Sequence, residues 1–317
     1  MLLRRISLVT ITLVSLLVTS VKAQENPGLV LMNRMVEAFS TLSYEGVFVR
    51  SHDSHMNSMQ VRHSVIDGVE YESLLDLDGE KIEVIRIDDS VICVYPNMSF
   101  ANNADPITTP FKRFEEFNGE RLLKGYNFVV TKQGLVAGRR AQKLELRPRD
   151  QYRYGHEFWL DIETGFLLKH DTLKSSGKIL DRVQFTSLNV SPNLSKNDFV
   201  PRMGTYAEHV IEVTPKSIPS HWVFDWLPAG FAPVWRGARQ INDNASMMLL
   251  SDGMTSVSIF IESTKESKPL TVMSMGSTIA GEKTSMMNGK PFLLTAVGEV
   301  PDATIRKLLS VIMPRQK

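Results

Sequence analysis

Cysteine is nearly missing from this sequence. Cys93 is the one cysteine among 317 residues, which excludes an internal disulfide bond and any zinc or iron–sulfur site built on several cysteines. An excess of charge of one sign is missing too, because 36 basic residues stand against 35 acidic ones. A protein that binds nucleic acid needs a dense basic surface to replace the counterions of the phosphates. The composition therefore argues against nucleic acid as a partner.

Long apolar runs and catalytic motifs are also missing. After residue 23, no stretch approaches the roughly 18 to 20 apolar residues of a membrane-spanning helix. The sequence has no G-x-S-x-G nucleophile turn, no Walker phosphate loop and no G-x-G-x-x-G dinucleotide loop. We therefore predict that the protein is not an enzyme, needs no cofactor and acts by binding.

The N-terminus has the three zones of a secretory signal peptide. Arg4 and Arg5 supply positive charge, and residues 6–18 form an uncharged apolar stretch of 13 residues. Val21 and Ala23 place small or aliphatic side chains at the −3 and −1 positions that signal peptidase recognises. We predict cleavage after Ala23 and export of the rest of the chain. An uncleaved N-terminal anchor is the alternative.

Alternating apolar and polar residues dominate the chain up to residue 190. A first helix is predicted where apolar residues recur at helical spacing from Leu31 to Leu42. Turn signals such as Asp67-Gly68 and Ala137-Gly138 separate the segments that follow, and no space is left for helical crossovers, so we predict an antiparallel sheet. Its predicted strands are 44–50, 58–66, 69–77, 81–88, 90–95, 126–132, 140–147, 155–161, 166–173 and 179–190.

Two helices are predicted to cover this sheet. The second is residues 111–124, which carry a phenylalanine at every third position from 111 to 117 and are broken at Asn118-Gly119. A curved sheet that is closed by aromatic helices can enclose an apolar pocket for an acyl chain, although simple core packing is the alternative. The candidate pocket residues are Phe39, Leu42, Phe111, Phe114 and Phe117.

A second β-rich module is predicted after a proline-rich connection. Its predicted strands are 246–250, 256–262, 270–284 and 290–299, and a final helix runs from Pro301 to about Ile312. The connection is stiff enough to limit the arrangement of the modules and still able to pivot. The predicted division is a signal peptide at 1–23, a large domain at 24–200, a linker at 201–219 and a small domain at 220–317. The predicted fold class is α+β with mostly antiparallel strands.

Methionine is concentrated in the small domain, which holds eight of the 15 methionines. Methionine adapts its shape and is frequent on surfaces that bind apolar partners, although filling of the core is the alternative. Trp222, Trp226 and Phe231 are predicted to belong to the core of this domain. The candidate partner contacts are Met247, Met248, Met273 and Met275.

Three further groups have both a functional and a structural interpretation. Histidines close together in the sequence could share a metal ion, but solvated loop histidines are favoured. A lone cysteine in the middle of a strand could be a nucleophile, but a buried apolar role is favoured. Arginines around residues 139–153 could bind lipid phosphates, but a solvated strand face is favoured. These groups are His52, His55 and His63; Cys93; and Arg139, Arg140, Arg147, Arg149 and Arg153.

The motifs of the small domain resemble those of the RseB/MucB family. The resemblance covers essentially the whole chain after the signal peptide, and the Tyr44-x-Gly-x-Phe48 segment and the order of hairpins are similar as well. The motifs are Trp222-x-x-x-Trp226-Leu-Pro-x-Gly-Phe231, Ser251-Asp252-Gly253-x-x-Ser256-x-Ser258-x-Phe260 and Val297-Gly-Glu-Val-Pro301.

The resemblance implies a periplasmic negative regulator of the envelope-stress sigma factor of a Gram-negative bacterium. Such a regulator binds the periplasmic part of a single-span anti-sigma factor of the RseA/MucA type and shields it from proteolysis. The resemblance also implies a large domain similar to the LolA and LolB lipoprotein carriers, which are unclosed β-barrels with helices in the mouth. A lipid or lipopolysaccharide would be the signal that displaces the regulator. A LolA-type lipid carrier is the alternative function, and a homo-oligomer is left open.

Overall fold

Two antiparallel sheets organise the described part of the chain. The computed structural model describes residues 25–52, 55–78, 82–88, 90–94, 117–202, 207–209 and 216–315. The predicted signal peptide with Ala23 and the pocket candidates Phe111 and Phe114 lie outside these residues. We call residues 25–209 the first unit and residues 216–315 the second unit. No helix in the described residues is long and apolar enough to cross a membrane.

Eleven antiparallel strands form the sheet of the first unit. Across the sheet they follow the order β11-β5-β4-β3-β2-β1-β10-β9-β8-β7-β6, so the edges β11 and β6 are not joined and the predicted unclosed sheet is confirmed. The strands are β1 (Tyr44–His52), β2 (His55–Ile66), β3 (Val69–Asp76), β4 (Glu83–Ile87), β5 (Ser90–Val94), β6 (Tyr126–Val136), β7 (Arg139–Pro148), β8 (Gly155–Asp161), β9 (Leu167–Leu173), β10 (Ile179–Val190) and β11 (Ala207–His209).

Local turns and one distant pairing set the order of these strands. Asp67 and Gly68 have φ of 55° and 79°, which are the positive values that both central residues of a type I′ turn require. Ala137 and Gly138 between β6 and β7 form a second such pair, with φ of 49° and 72°. The strands form two antiparallel meanders, β1–β5 and β6–β10. They join where β1 pairs with β10, with Tyr44 opposite Val190. That pairing connects segments far apart in the chain, so no local pattern could predict it.

Helix α1 (Pro27–Thr41) covers the first sheet as predicted. Its N-cap is Asn26, whose side-chain oxygen accepts hydrogen bonds from the N–H groups of Gly28 and Leu29 at 3.0 and 3.2 Å. Met32 and Met35 are fully buried on the side of the helix that faces the sheet. The helix therefore completes the first core rather than standing apart from it.

Helix α2 (Gly119–Gly125) begins where the sequence predicted a break. Asn118 is its N-cap and accepts a hydrogen bond from the N–H of Arg121 at 3.0 Å. The predicted interruption at Asn118-Gly119 agrees with this start, because Asn118 is extended and its side-chain oxygen satisfies a backbone donor of the first turn. Residues 111–116 of the predicted helix lie outside the described residues. A 3₁₀ turn at Lys196–Phe199 follows the last strand of the second meander.

The second unit contains an antiparallel sheet, a short two-stranded sheet and helix α3 (Asp302–Val311). The larger sheet has the order β12-β15-β16-β17-β20-β19-β18, with β14 also paired to β16, and β13 pairs with β21. The strands are β12 (Ser217–Ile218), β13 (Trp222–Phe224), β14 (Ala232–Pro233), β15 (Ala238–Gln240), β16 (Ala245–Ser251), β17 (Ser256–Ser263), β18 (Thr271–Met275), β19 (Thr278–Met287), β20 (Lys290–Gly298) and β21 (Ile312–Pro314).

One predicted strand of this unit is a hairpin. The segment 270–284 was expected to be continuous, but β18 and β19 pair with each other across a two-residue turn at Gly276 and Ser277. Gly276 has a φ of 66°, which suits the first central position of a type II′ turn. The predicted linker 201–219 contains β11 of the first sheet and β12 of the second.

Helix α3 packs on one side of the second sheet, which we call the inner face. Ile305, Leu308 and Leu309 of this helix are fully buried there. Trp222 and Phe231 are also buried in the same core, as predicted. The opposite side, the outer face, has no helix of the second unit packed on it within the described residues.

Candidate partner-binding surfaces

The histidines of the β1–β2 hairpin have protein partners. His52 lies opposite His55 across the hairpin, and its Nδ1 is 3.1 Å from a carboxylate oxygen of Asp181. His63 is buried, with its ring nitrogens 2.7 Å from the carbonyl oxygen of Leu42 and 3.1 Å from Glu70. Within the described ranges, no group of three or more His, Cys, Asp or Glu residues could hold a metal ion.

Cys93 occupies the interior position that the sequence predicted. It lies in β5, opposite Val84 of β4, and its side chain is 2% exposed in the first core. A nucleophilic thiolate needs an accessible and electropositive setting. The packing supports the structural role of this residue.

Arg139 and Arg147 of the predicted arginine group are engaged by acidic residues, whereas Arg140 donates a hydrogen bond to Oε1 of Gln133. Arg139 pairs with Asp161, and Arg147 lies 2.7 Å from Glu145. Burial raises the pKa of Asp161, but hydrogen bonds from Arg139 and Thr164 outweigh it, so the pKa stays below its usual value. These guanidinium groups are therefore already neutralised, which leaves little positive charge for a lipid phosphate at Arg139.

The described candidates for the lipid pocket lie at the edge of the first core. Phe39 of α1 is half-buried and meets Phe166 edge to face at 5.3 Å between ring centroids. Leu42 and Phe117 are also half-buried and pack against the same core. All three side chains therefore contact the core beneath the covering helices, and an acyl-chain site there stays a prediction.

The four candidate methionines divide between the two faces of the second sheet. Met248 is 5% exposed and lies in the inner core, where its sulfur accepts a hydrogen bond from Ser220 at 3.2 Å. A partner cannot reach Met248 in this packing. Met247 points to the outer face, since neighbouring residues of a strand alternate, and it lies opposite Phe260 of β17.

Met273 and Met275 extend the outer face to the edge of the sheet. The cross-strand register places Met273, Ala280, Val297, Ser258 and Leu249 in one row across β18, β19, β20, β17 and β16. Met273 and Met275 are 64% and 54% exposed, whereas the other members of the row are half-buried. This row of the outer face is thus mostly apolar and becomes more exposed towards β18.

Strand β18 is an uncharged edge of the second sheet. Its sequence is Thr-Val-Met-Ser-Met, and it pairs only with β19 among the described strands. The pair Met275–Thr278 closes the two-residue turn and is therefore hydrogen-bonded. Because hydrogen-bonded and non-hydrogen-bonded pairs alternate in an antiparallel ladder, Val272 and Ser274 direct their N–H and C=O groups away from β19.

A buried ion pair joins the two units. Arg153, which follows β7, donates from Nη1 to Oδ2 of Asp252 at 3.0 Å, and both side chains are 0% exposed. The guanidinium also donates to both oxygens of Asp150 and to the carbonyl oxygen of Ala229. Its plane lies 5.2 Å from the ring centroid of Tyr126 in the first unit. Arg153 is therefore saturated by partners from both units.

Asp252 is held by backbone groups as well as by Arg153. Its Oδ1 accepts hydrogen bonds from the N–H groups of Met254 and Thr255, both at 3.0 Å. Burial nevertheless raises the pKa of Asp252, because these bonds and Arg153 only partly offset the loss of hydration. The carboxylate therefore depends on Arg153 for its charge.

Aromatic and backbone contacts extend this junction. Trp226 is half-buried, and its ring lies 4.6 Å from that of Tyr152, so it serves the junction as well as the second core that was predicted for it. Thr304 of α3 donates a hydrogen bond to the carbonyl oxygen of Tyr152 at 2.7 Å. At Gly253, with φ of 91°, a Cβ would lie 2.8 Å from the backbone nitrogen of Asn118. The units thus meet closely, which opposes the pivoting that the linker composition predicted.

A cavity of about 610 Å³ lies beside the junction and reaches the β18 edge. Its wall in the first unit includes Asp150, Tyr154 and Lys174, and its wall in the second unit includes Ser274 and Asp302. Burial, with smaller contributions from the carboxylates of Glu299 and Asp302, raises the pKa of Tyr154 to about 12. The phenol therefore stays protonated over the physiological range and can donate a hydrogen bond into the cavity.

Sequence reasoning missed the residues that fix the two units to each other. Arg153 was placed among the arginines of a strand face, and Asp252 was noticed only within the Ser251-Asp252-Gly253 motif. The two residues are 99 positions apart, so their spacing carries no local signal. One signal was available in the sequence. Asp252-Gly253 is a turn pair beside a strand, and a turn at that place does not require a charged residue.

These features define a two-unit β protein with a rigid junction and an open, uncharged strand edge, which is the construction of a binding protein. The family models describe both units: the MucB/RseB N-terminal domain matches residues 27–203, and the MucB/RseB C-terminal domain matches residues 216–313. The chain belongs to the MucB/RseB family.

Individual relatives agree with this assignment over nearly their full lengths. The sigma-E factor regulatory protein RseB of Haemophilus influenzae is 28% identical over 305 residues, which cover 94% of this chain and 95% of that protein. The sigma factor AlgU regulatory protein MucB of Pseudomonas aeruginosa is 30% identical over 291 residues, which cover 89% and 90%. The structure of the Pseudomonas aeruginosa MucA/MucB complex matches with a TM-score of 0.76 at 27% identity, covering 92% of this chain and 100% of that one.

Proposed function

We propose that this chain is a periplasmic regulator that binds the periplasmic part of an anti-sigma factor and shields it from regulated proteolysis. The match of both domains to regulators of sigma factors, one of them solved with MucA, carries the proposal. The signal peptide predicted at residues 1–23 supports a periplasmic location. The function requires binding alone, so no side chain of this chain is assigned a catalytic role.

Shielding is a competition between the regulator and a protease for the same segment. A protease needs an extended, accessible backbone, and a bound segment loses that accessibility. The anti-sigma segment loses conformational freedom on binding, so its affinity depends on apolar anchors that offset this cost. We propose Met247, Met273 and Met275 on the outer face as anchors for it, and we withdraw Met248 because it is buried in the inner core.

A lipid signal would act by preferring the partner-free protein. Any ligand that binds the free form better than the complex lowers the bound fraction by linkage. We propose that an acyl chain enters the first unit beside Phe39, Leu42 and Phe117, where half-buried aromatic side chains line the covering helices. Phe111 and Phe114 remain predicted members of this site.

Co-purification tests the regulatory function directly. The tagged full-length chain, exported by its own signal, is isolated from envelope extracts of the cell that carries its gene. We expect a single-span anti-sigma factor to co-purify, and the full chain to slow cleavage of that factor's recombinant periplasmic part by a site-1 protease. Recovery of acylated lipoproteins instead would assign the chain to the lipid carriers.

The lipid step and the domain division need separate measurements. Titration of the exported chain with a fluorescent acyl probe should saturate, and Phe39→Trp should report the probe by quenching. A flat titration would refute the pocket.

Limited proteolysis should cut within residues 203–216 if the division into 24–200 and 220–317 with a linker at 201–219 is correct.

A further inference from the structure

We propose that the anti-sigma segment docks as an added β-strand along the open edge of β18, with a side chain in the cavity beside the junction. This inference rests on the proposed function, because it assigns the docking mode of that partner. Its occupant is an extended segment with apolar side chains on one face. Three features of the edge, argued in turn below, select this occupant.

The backbone of the edge is the first feature. Val272 and Ser274 direct their N–H and C=O groups away from β19, so the edge offers two donors and two acceptors to a new strand. Natural proteins protect such edges with charged residues, proline or bulges. The five residues of β18 carry no charge and no proline, and their pairing with β19 is regular. The edge is therefore suited to accept a strand rather than to repel one.

The two sides of the edge are the second feature. Met273 and Met275 continue the apolar outer face, and their exposed thioethers would be covered by the outward side chains of a docked segment. Ser274 points to the other side and lines the cavity of about 610 Å³ beside the junction. A docked strand would thus place the side chain next to Ser274 in that cavity. Main-chain bonds with pockets for alternate side chains are the mode of strand addition known as β-augmentation.

Continuity with the junction is the third feature. Across the cavity from Ser274 lie Tyr154 and Lys174 of the first unit. A segment on β18 would therefore contact both units at once, while the Arg153–Asp252 pair keeps their walls at a fixed separation. This explains how a segment bound at one short edge can contact both units of the protein.

A proline substitution at the edge tests the main-chain contribution. In Ser274→Pro the removed N–H is not part of the β18–β19 ladder, so the hairpin loses only the 3.4 Å bond from the Ser274 hydroxyl to the carbonyl oxygen of Gly276. Proline is tolerated on such edges. We expect the affinity for the recombinant periplasmic part of the co-purified anti-sigma factor to fall at least about tenfold by calorimetry. The matched control is Asp243→Pro, which places proline at the second position of the turn that Ala245 N–H closes on Asn242. Asp243→Pro should bind as the wild type does.

Hydrogen exchange of the wild-type chain gives a readout that does not depend on any variant. Amides of a peptide spanning residues 270–277 should gain protection when the anti-sigma segment binds, whereas peptides from β6, the exposed edge of the first sheet, should not. Exchange that is unchanged at 270–277 in a saturated complex would overturn the docking mode.

Crosslinking tests the register and covers the case in which Ser274→Pro fails to fold. Towards a new strand, Met273 is a non-hydrogen-bonded position, where opposing Cβ atoms come closest. In Met273→Cys the new thiol is exposed and Cys93 stays buried. Cysteines scanned through the anti-sigma segment should form disulfides with alternating efficiency, strong at one residue and weak at its neighbours.

The outcomes separate the docking mode from the function that it serves. If the wild-type chain does not bind the anti-sigma segment, the proposed function fails and the docking mode fails with it. If the wild type binds but Ser274→Pro, while folded, binds equally well, only the docking mode fails. A concentration-dependent dimer that Ser274→Pro abolishes would instead assign the edge to a second copy of this chain, and would equally overturn the proposal.

Discussion

Met247 and Met248 are neighbours in the chain, yet they belong to opposite sides of the second sheet. Met248 is enclosed by the inner core with α3, whereas Met247 shares the outer face with Met273 and Met275. Composition treats these methionines as one group, and strand alternation separates them. The inner face and the junction hold the protein together, while the outer face and the β18 edge are available for a partner. Substitutions on the inner face or at the junction should therefore lower stability, and substitutions on the outer face or the β18 edge should weaken binding of the partner.

The largest loss of stability is expected at the junction. Arg153→Ala would leave the buried carboxylate of Asp252 without its cation and should cost about 3–5 kcal/mol in urea unfolding at pH 7. Because burial raises the pKa of Asp252, the loss should shrink in acid as the carboxyl becomes protonated. The control is Arg147→Ala, whose exposed pair with Glu145 should be worth no more than about 1 kcal/mol. Equal effects of the two variants would contradict a structural role of the junction pair.

A similar loss is expected in the inner core. Trp222 is 4% exposed and meets Phe292 edge to face, so Trp222→Ala should cost roughly 3–5 kcal/mol. Trp226→Ala should cost less, because this ring is only half-buried between Tyr152 and the second core. Thermal unfolding followed by circular dichroism measures both. The reverse order would show that Trp226, not Trp222, is the main aromatic support of the second unit.

Contacts between distant segments of the chain mark the limit of what the sequence could predict. Alternation and turn residues located ten of the eleven strands of the first sheet and the long strands of the second, since a turn such as Asp67-Gly68 depends only on its own backbone. The short strands β11 to β15 and β21 were not predicted, because two or three residues show no alternation. The pairing of β1 with β10 and the contact of Arg153 with Asp252 join distant segments, so they depend on how the whole chain folds. The alternation of side chains along a strand could have separated Met247 from Met248, but the high methionine content of the small domain was given more weight.

The sharpest comparison is between those two neighbours. Met248→Ala should destabilise the protein by about 2–5 kcal/mol, whereas Met247→Ala on the outer face should cost less than about 1 kcal/mol. Binding of the recombinant periplasmic part of the anti-sigma factor, which would contact Met247 outside the strand docked on β18, should show the opposite order when it is measured well below the melting temperature. A Met247→Ala variant that melts early would place Met247 in the core and remove it from the proposed contacts.

The smallest effect concerns Lys283, which lies beside Glu282 in β19 but on the inner face. The cross-strand partner of Lys283 is the buried Leu294, and that of Glu282 is Thr295 on the outer face. Burial lowers the pKa of Lys283, because the charged ammonium loses hydration. Folding therefore favours its neutral form. The resulting loss of stability is fully present at pH values below the pKa that Lys283 has in the folded protein. It disappears as the pH rises from that pKa to the unfolded value of 10.5.

Lys283→Met removes this penalty and keeps a side chain of similar length on the inner face. We expect the variant to be at least as stable as the wild type at pH 7, and the stability difference between them to narrow as pH rises through the alkaline range. Subtracting the two urea-unfolding curves at each pH cancels the tyrosines and other groups that titrate there. The matched control is Glu262→Gln on the exposed outer face of β17, which should leave the alkaline slope unchanged. A difference between Lys283→Met and wild type that is constant with pH would mean that Lys283 reaches solvent and that the inner face ends before this residue.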